Sequence, residues 1–320
     1  MTEALQTQPV VVICEEIDPE AKAWLSERAR VIDAGAKPSD EALSQADGLV
    51  VRTYTRVDEA LLARAPRLRV VGRAGVGIDH IDLRACAARG VRVVHTPDAN
   101  SAAVTELVFA TVLSTLRPTP RVNESLDPEA WQDLRERSIA PMQLEGSTLG
   151  VYGLGRVGRR VVRTGAALGM RVLFHDLREI PAPERDGAEP VERDELLRES
   201  HVLSIHVDGR ISNQGLIDAG VFAQMRPDVL FVNTSRGFVV DEAACAAFLR
   251  SNPGARATLD VHAAEPIVSE SPLIGLKNAV LLPHIGSATR SAKLAMSWVV
   301  RDVVGVLSGE PPRFEAESGA

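Results

Sequence analysis

Residues 148–158 read Thr148-Leu149-Gly150-Val151-Tyr152-Gly153-Leu154-Gly155-Arg156-Val157-Gly158. The first five form a short apolar run of strand character, and the residues that follow carry helical spacing over 159–168. Between them lies a GxGxxG. Gly153 allows a tight turn, Gly155 lets the main chain approach a pyrophosphate, and Gly158 lets helix and strand pack closely. Arg156 and Val157 open the helix, whose free N–H groups and positive dipole end face the phosphates. Eighteen residues beyond Gly158 the next strand ends in His175-Asp176. Asp176 can accept from both hydroxyls of an adenosine ribose, and its charge favours NAD over NADP. Arg178 nearby leaves some NADP use open. A glycine motif alone is a weak signal; the strand before it, the helix after it and the acid beyond decide the reading.

Outward from this motif, short β-branched runs alternate with helical patterns along the whole chain. Strands are expected at Val10–Ile13, Gly48–Val51, 68–72 and 91–95. Further strands are expected at Thr148–Tyr152, Arg171–His175, 202–206, 229–233, 257–261 and 279–282. Helical spacing appears between them, for example at 20–29 and 242–250. Such alternation implies right-handed crossovers and parallel sheets. Residues 101–116 read as a long helix, apolar around most of its circumference and so buried on more than one side. A domain boundary is expected near 98–101. A last helix over 291–307 has a periodicity that fits either sheet.

Three later strands end in unusual residues: Arg236 follows 229–233, Glu265 follows 257–261, and His284 follows 279–282. Ligands of open parallel sheets bind at the carboxyl ends of strands, so these side chains are expected on one edge. Arginine supplies a fork of donors for a carboxylate and a polarised carbonyl. Histidine exchanges a proton near neutrality, and glutamate orients its ring and favours its charged form. The trio suits hydride transfer to or from a 2-hydroxy acid. His206 ends a strand on the same edge and is read with Thr234 as lining the cofactor cleft. His80, His95, His175, His201 and His262 have no partner legible in the sequence.

Composition narrows the classes. The 320 residues suit two domains, and 45% hydrophobic with 25% charged residues is a globular balance. A net charge of −7 offers no basic field for nucleic acid. Three scattered cysteines, Cys14, Cys86 and Cys245, give neither a disulfide scaffold nor zinc spacing. No metal is expected. No run reaches membrane-spanning length and no leader is legible, so a cytoplasmic setting is expected.

Six motifs in order resemble the D-2-hydroxyacid dehydrogenase family over nearly the full length. They are Gly72-Arg73-Ala74-Gly75-Val76-Gly77-Ile78-Asp79, Ala103-Val104-Thr105-Glu106-Leu107, the glycine motif at 153–158, and Asn233-Thr234-Ser235-Arg236-Gly237. Leu259-Asp260-Val261 with Glu265-Pro266, and Pro283-His284-Ile285-Gly286, complete the set. The resemblance implies Arg236, Glu265 and His284 as catalytic residues and NAD as cofactor. It also implies that Asp260 contacts the nicotinamide carboxamide, with Thr105 nearby. Main-chain N–H groups around Ala74, Gly75 and Val76 would hold the substrate carboxylate. The implied architecture is α/β, with a Rossmann-type NAD domain (100–286) inserted into a flavodoxin-like substrate domain (1–99 and 287–320). In the family the last helix returns to the first domain, one domain closes over the other, and members are usually homodimers built through residues 101–145.

Within the family the likeness points to the D-3-phosphoglycerate dehydrogenase subgroup, through Val50-Val51-Arg52-Thr53 and Val71-Gly72-Arg73-Ala74-Gly75. Arg52 and Arg73 follow successive strands, where they could neutralise a substrate phosphate. A C-terminal regulatory extension is not expected. Departures from the family pattern fall at His80, His95, Val207, Asn213, Arg256 and Thr258, and they bear on substrate identity more than on reaction type. The alternatives are a glyoxylate, hydroxypyruvate or other small 2-keto acid reductase and, from another class, an NAD(H)-sensing transcriptional co-regulator.

Overall fold

The computed structural model describes residues 8–316. The chain divides into two compact units, one comprising Met1–Asn100 and Ser287–Ala320, the other Ser101–Gly286.

The first unit holds five parallel strands: β1 (Val10–Ile13), β2 (Arg30–Asp33), β3 (Gly48–Val51), β4 (Val70–Arg73) and β5 (Arg92–His95). Helices α1 (Pro19–Ser26), α2 (Asp40–Gln45), α3 (Glu59–Ala63) and α4 (Leu83–Ala88) make the crossovers. All four start on a side-chain cap, from Asp18, Ser39, Asp58 and Asp82, which satisfies a first-turn N–H. The order β2-β1-β3-β4-β5 reverses direction between β1 and β3. Alternate residues face opposite layers: Val12, Leu49, Val51 and Val71 join one core, while Val11, Ile13, Val50 and Val70 join the other. Burial on both faces explains the unbroken valine-rich strands, each buried side chain contributing about 1.5–3 kcal/mol.

The second unit opens with α5 (Ser101–Leu116) and α6 (Pro128–Arg137). Seven parallel strands follow: β6 (Thr148–Tyr152), β7 (Arg171–His175), β8 (Glu189–Pro190), β9 (Val202–Ile205), β10 (Leu230–Asn233), β11 (Arg256–Leu259) and β12 (Ala279–Leu281). Helices α7 (Arg156–Ala167), α8 (Arg193–Glu199), α9 (Ala219–Phe222) and α10 (Glu242–Ser251) connect them. The order β12-β11-β10-β9-β6-β7-β8 places its reversal between β6 and β9. α5 packs with α7 over one face through Val108, Val112, Val161 and Val162, as its apolar circumference predicts.

Back in the first unit, α11 (Arg290–Ser297) and α12 (Val300–Leu307) end the fold. Val299, Val300 and Val303 pack on that unit's sheet. Gly72 of β4 allows the approach, since a Cβ there would overlap the Val303 side chain.

The sequence pattern anticipates ten strands, and the structure adds β2 and β8. β2 is an edge strand with exposed Arg30 and Asp33 at its ends, so only Val31 and Ile32 carry a strand signal. β8 has two residues, one a proline. The expected helix over 291–307 is two helices, broken at Trp298 and Val299. The expected helix over 20–29 stops at Ser26.

Candidate functional site

At the reversal of the larger sheet, Gly153 turns with φ +96° and its N–H donates to His175 O at 2.8 Å. A Cβ at Gly153 would come within 2.8 Å of the His206 carbonyl, so the β6 and β9 loops touch main chain to main chain. A Cβ at Gly158 would overlap the Gly153 carbonyl, whereas one at Gly155 would meet nothing within 4 Å. Gly155 precedes α7 without a side-chain cap, leaving that helix's first N–H groups, from Arg156 and Val157 onward, for a ligand. Asp176 closes the ring: its Oδ2 accepts from Leu154 N–H at 2.8 Å and its Oδ1 from Arg178 N–H at 2.9 Å. Burial pushes this carboxyl up, but those bonds and the Arg178 guanidinium outweigh it and hold the group below the usual carboxylate range. Beside the motif, His206 Nε2 bonds Ser204 Oγ at 2.8 Å, and desolvation pushes its pKa down to about 3. The Thr234 hydroxyl, at the end of β10, is buried without a hydrogen-bond partner. An open glycine turn, an uncapped helix start, an acid at the next strand end and an orphaned hydroxyl together fit a dinucleotide.

The trio is assembled by three strand ends in sequence. Asn233, buried at the end of β10, caps its own turn: Oδ1 accepts from Ser235 N–H at 3.0 Å and from Ser235 Oγ at 2.8 Å, while Nδ2 donates to Arg236 O at 3.0 Å. This fixes the main chain at Arg236, whose Nη1 donates to Ser235 O at 2.8 Å. Gly237 then lies directly on the His262 carbonyl, where any Cβ would overlap main chain. The β10 loop is thereby set against the loop after β11.

His262 ties that loop to the next. Its N–H donates to Glu265 Oε1 at 3.0 Å, and its Nε2 meets Leu282 O at 2.8 Å, which requires the proton on Nε2. Glu265 Oε2 lies 2.7 Å from His284 Nδ1. The two side chains are 29% and 39% exposed, so the pair is formed yet reachable by a small molecule. Burial works to raise the Glu265 carboxyl, but the His284 ring, the His262 N–H and the charge on His284 prevail and hold it low. His284 itself sits in the left-handed region at φ +55°, sparsely populated for a residue with a side chain. Buried Asp260 holds that turn, accepting from Ile285 N–H at 2.8 Å and Gly286 N–H at 2.7 Å. Burial outweighs these bonds and raises the Asp260 carboxyl. Two carboxylates of one site are thus pushed in opposite directions.

The first turn of α5 borders this turn, since a Cβ on Gly286 would lie 3.4 Å from Val104. Thr105 is buried there and donates to Ser101 O at 2.8 Å.

In the first unit, the loop after β4 is shaped by Arg73. Its Nε donates to Gly77 O at 2.8 Å and its Nη1 to Ala74 O at 2.6 Å. A Cβ at Gly75, φ +154°, would overlap this guanidinium. His95 Nδ1 lies 3.1 Å from Val76 O on the same loop. Arg52, after β3, donates from Nη1 to Glu16 O at 3.0 Å. Neither arginine is a freely solvated charge.

Sequence reasoning left four histidines without partners that the structure supplies. His175 Nδ1 meets Val191 O, His201 Nδ1 accepts from Thr148 N–H, and His95 and His262 bond as described. Only the position of His262, three residues before Glu265, could have hinted at its place. Leu177 and Ile211, in the loops after β7 and β9, are 77% and 79% exposed and carried no signal in the sequence.

Residues 109–286 match the family model described as D-isomer specific 2-hydroxyacid dehydrogenase, NAD binding domain. A D-3-phosphoglycerate dehydrogenase of Archaeoglobus fulgidus is 35% identical over 309 residues, 95% of this chain and 58% of that protein. The chain therefore spans little more than half the length of that relative. A glyoxylate reductase of Aeropyrum pernix is 35% identical over 317 residues, 95% of both chains. Among solved structures, the D-lactate dehydrogenase of Aquifex aeolicus complexed with NAD and lactic acid aligns with a TM-score of 0.81 at 27% identity, covering 94% of this chain and 96% of that one. On the family match and on two relatives above 30% identity over nearly all its length, the chain belongs to the D-isomer specific 2-hydroxyacid dehydrogenase family.

Proposed function

We propose that this chain transfers a hydride between NAD and a D-2-hydroxy acid or its 2-keto acid, with His284 exchanging the accompanying proton. The observation that carries the reading is the 2.7 Å His284–Glu265 pair at the carboxyl edge of the sheet that also bears the glycine motif. The 153–158 turn, Asp176 and Thr234 would hold NAD, which would supply or accept the hydride.

The protein's part is binding and proton traffic. Glu265 accepts from His284 Nδ1–H, which leaves Nε2 to meet the substrate oxygen. In oxidation Nε2 takes the hydroxyl proton as the hydride leaves the carbon; in reduction it returns one. Arg236 offers planar donors to the carboxylate and to the oxygen on which charge develops. Asp260 keeps the His284 turn in its strained conformation, and Val76 offers its main-chain N–H to the carboxylate; the Ala74 and Gly75 N–H groups expected beside it donate instead to Val51 O at 2.9 Å and Arg73 O at 2.8 Å.

The substrate we propose is 3-phosphoglycerate with 3-phosphohydroxypyruvate, supported by Arg52 after β3 and by the Archaeoglobus relative. Arg73 shapes its own loop, which leaves the phosphate to Arg52. That same engagement of Arg73 favours the second reading, reduction of glyoxylate, hydroxypyruvate or a similar small keto acid. Exposed Leu113, Val122, Trp131 and Ile139 support a homodimer through residues 101–145.

NADH oxidation by a dimeric preparation with 3-phosphohydroxypyruvate, hydroxypyruvate, glyoxylate and pyruvate tests both parts. Preference for the phosphorylated acid, lost in Arg52→Ala, is the expected result. Preference for an unphosphorylated acid transfers the assignment to the second reading. No turnover, with tight NADH binding, would favour the NAD(H)-sensing co-regulator instead.

A further inference from the structure

Glu15 stands two residues beyond β1, and its carboxylate receives four consecutive main-chain N–H groups from the loop after β3. Arg52 N–H donates to Oε1 at 2.9 Å, Thr53 N–H to Oε2 at 2.8 Å and Thr55 N–H to Oε1 at 3.0 Å. Tyr54 N–H is shared between both oxygens at 3.1 Å each. Successive N–H groups facing one concavity make an anion nest, and here the anion belongs to the protein. Among the described residues, no main-chain carbonyl accepts from any of these four groups. The loop has no helix or strand of its own, so the carboxylate sets its path. Burial pushes the Glu15 carboxyl up, yet the four bonds prevail and hold it below the usual range.

The position gives the clamp its meaning. β1 and β3 flank the reversal in strand order, the crevice where open α/β sheets take their ligands. The neighbouring loop after β4 is fixed by Arg73, as described above. Glu15 does the same work for the loop after β3, from which Arg52 reaches Glu16 O and Tyr54 projects at 78% exposure. Glu16 is tied in turn to Lys293 at 3.0 Å.

We infer that Glu15 is a positioning residue for substrate recognition: by ordering residues 52–55 it presents Arg52, Thr53 and Tyr54 to the keto acid. The inference rests on the dehydrogenase reading. An element that orders a binding loop acts on ground state and transition state alike, so it sets KM for the keto acid rather than kcat. The nucleotide site is built on other loops, and NADH affinity is independent of Glu15.

The test compares wild type with Glu15→Gln, which keeps volume but loses one acceptor oxygen and the charge, and with Glu15→Asp, which keeps the charge. Glu15→Gln is expected to raise KM for the keto acid about tenfold, with kcat and NADH Kd within about twofold and Glu15→Asp between. Hydrogen exchange at the amides of residues 52–55 is expected to quicken in Glu15→Gln while the strand amides stay protected. An unchanged KM in a folded Glu15→Gln protein overturns the inference while leaving the dehydrogenase reading intact. Parallel losses in Tm, NADH binding and kcat also overturn it, since they mark a merely structural role. A wild type without turnover on any keto acid refutes the dehydrogenase reading, and the role of Glu15 with it.

Discussion

His284→Asn is expected to slow keto-acid reduction by about a thousandfold, near 4 kcal/mol, while NADH affinity stays within about twofold. Asparagine is the informative replacement for two reasons. It tolerates the left-handed conformation that His284 adopts at φ +55°, so the turn held by Asp260 is retained. Its amide can still meet Glu265, but it cannot carry a proton between solvent and substrate. The glycine motif, Asp176 and Thr234 lie on other strand ends, and cofactor binding is untouched. Single-turnover NADH oxidation with NADH titration separates the two effects. A loss smaller than about tenfold would remove His284 from the proton path.

Arg236→Gln is expected to lower kcat/KM for the keto acid by about two to three orders of magnitude. The fold should survive, because the turn depends on the main-chain carbonyl of Arg236, which accepts from Asn233, and on Gly237 against His262. What is lost is the charged fork that grips a carboxylate and stabilises a developing oxyanion. Arg236→Lys is expected to recover little, since an ammonium is a point charge without that planar geometry. Full activity in the lysine variant would show that the fork is not what the reaction uses.

The sequence carried much of this because the decisive residues sit where their chemistry forces them. Gly153, Gly158 and Gly237 each face main chain at a distance that no side chain allows, so glycine at those positions is a readable constraint. Arg236, Glu265 and His284 were legible as a set because each lies in the loop after one of three successive strands. Other features depend on contacts across the chain that spacing does not encode. Glu15 looks like half of an exposed acidic pair with Glu16 until β1 and β3 are laid side by side. His262 looks like any histidine until its ring reaches Leu282, twenty residues away. Arg73 resembled a phosphate ligand by position, yet its guanidinium is turned onto the carbonyls of its own loop. Edge strand β2 escaped because two apolar residues between two charges do not make a pattern.

The central claim is that Glu265 and His284 act as one proton-exchanging pair, and the pH dependence of keto-acid reduction in wild type and Glu265→Gln tests it most directly. The Glu265 carboxylate, held below the usual carboxylate range, accepts from His284 Nδ1–H and orients the ring until falling pH protonates it; glutamine has no such titrating group. Wild-type activity should therefore persist into the acid range and fall as the Glu265 carboxyl takes up its proton, a fall that Glu265→Gln should not show beneath its already lower kcat. Superimposable profiles in the two proteins would contradict the pairing and leave His284 to act alone.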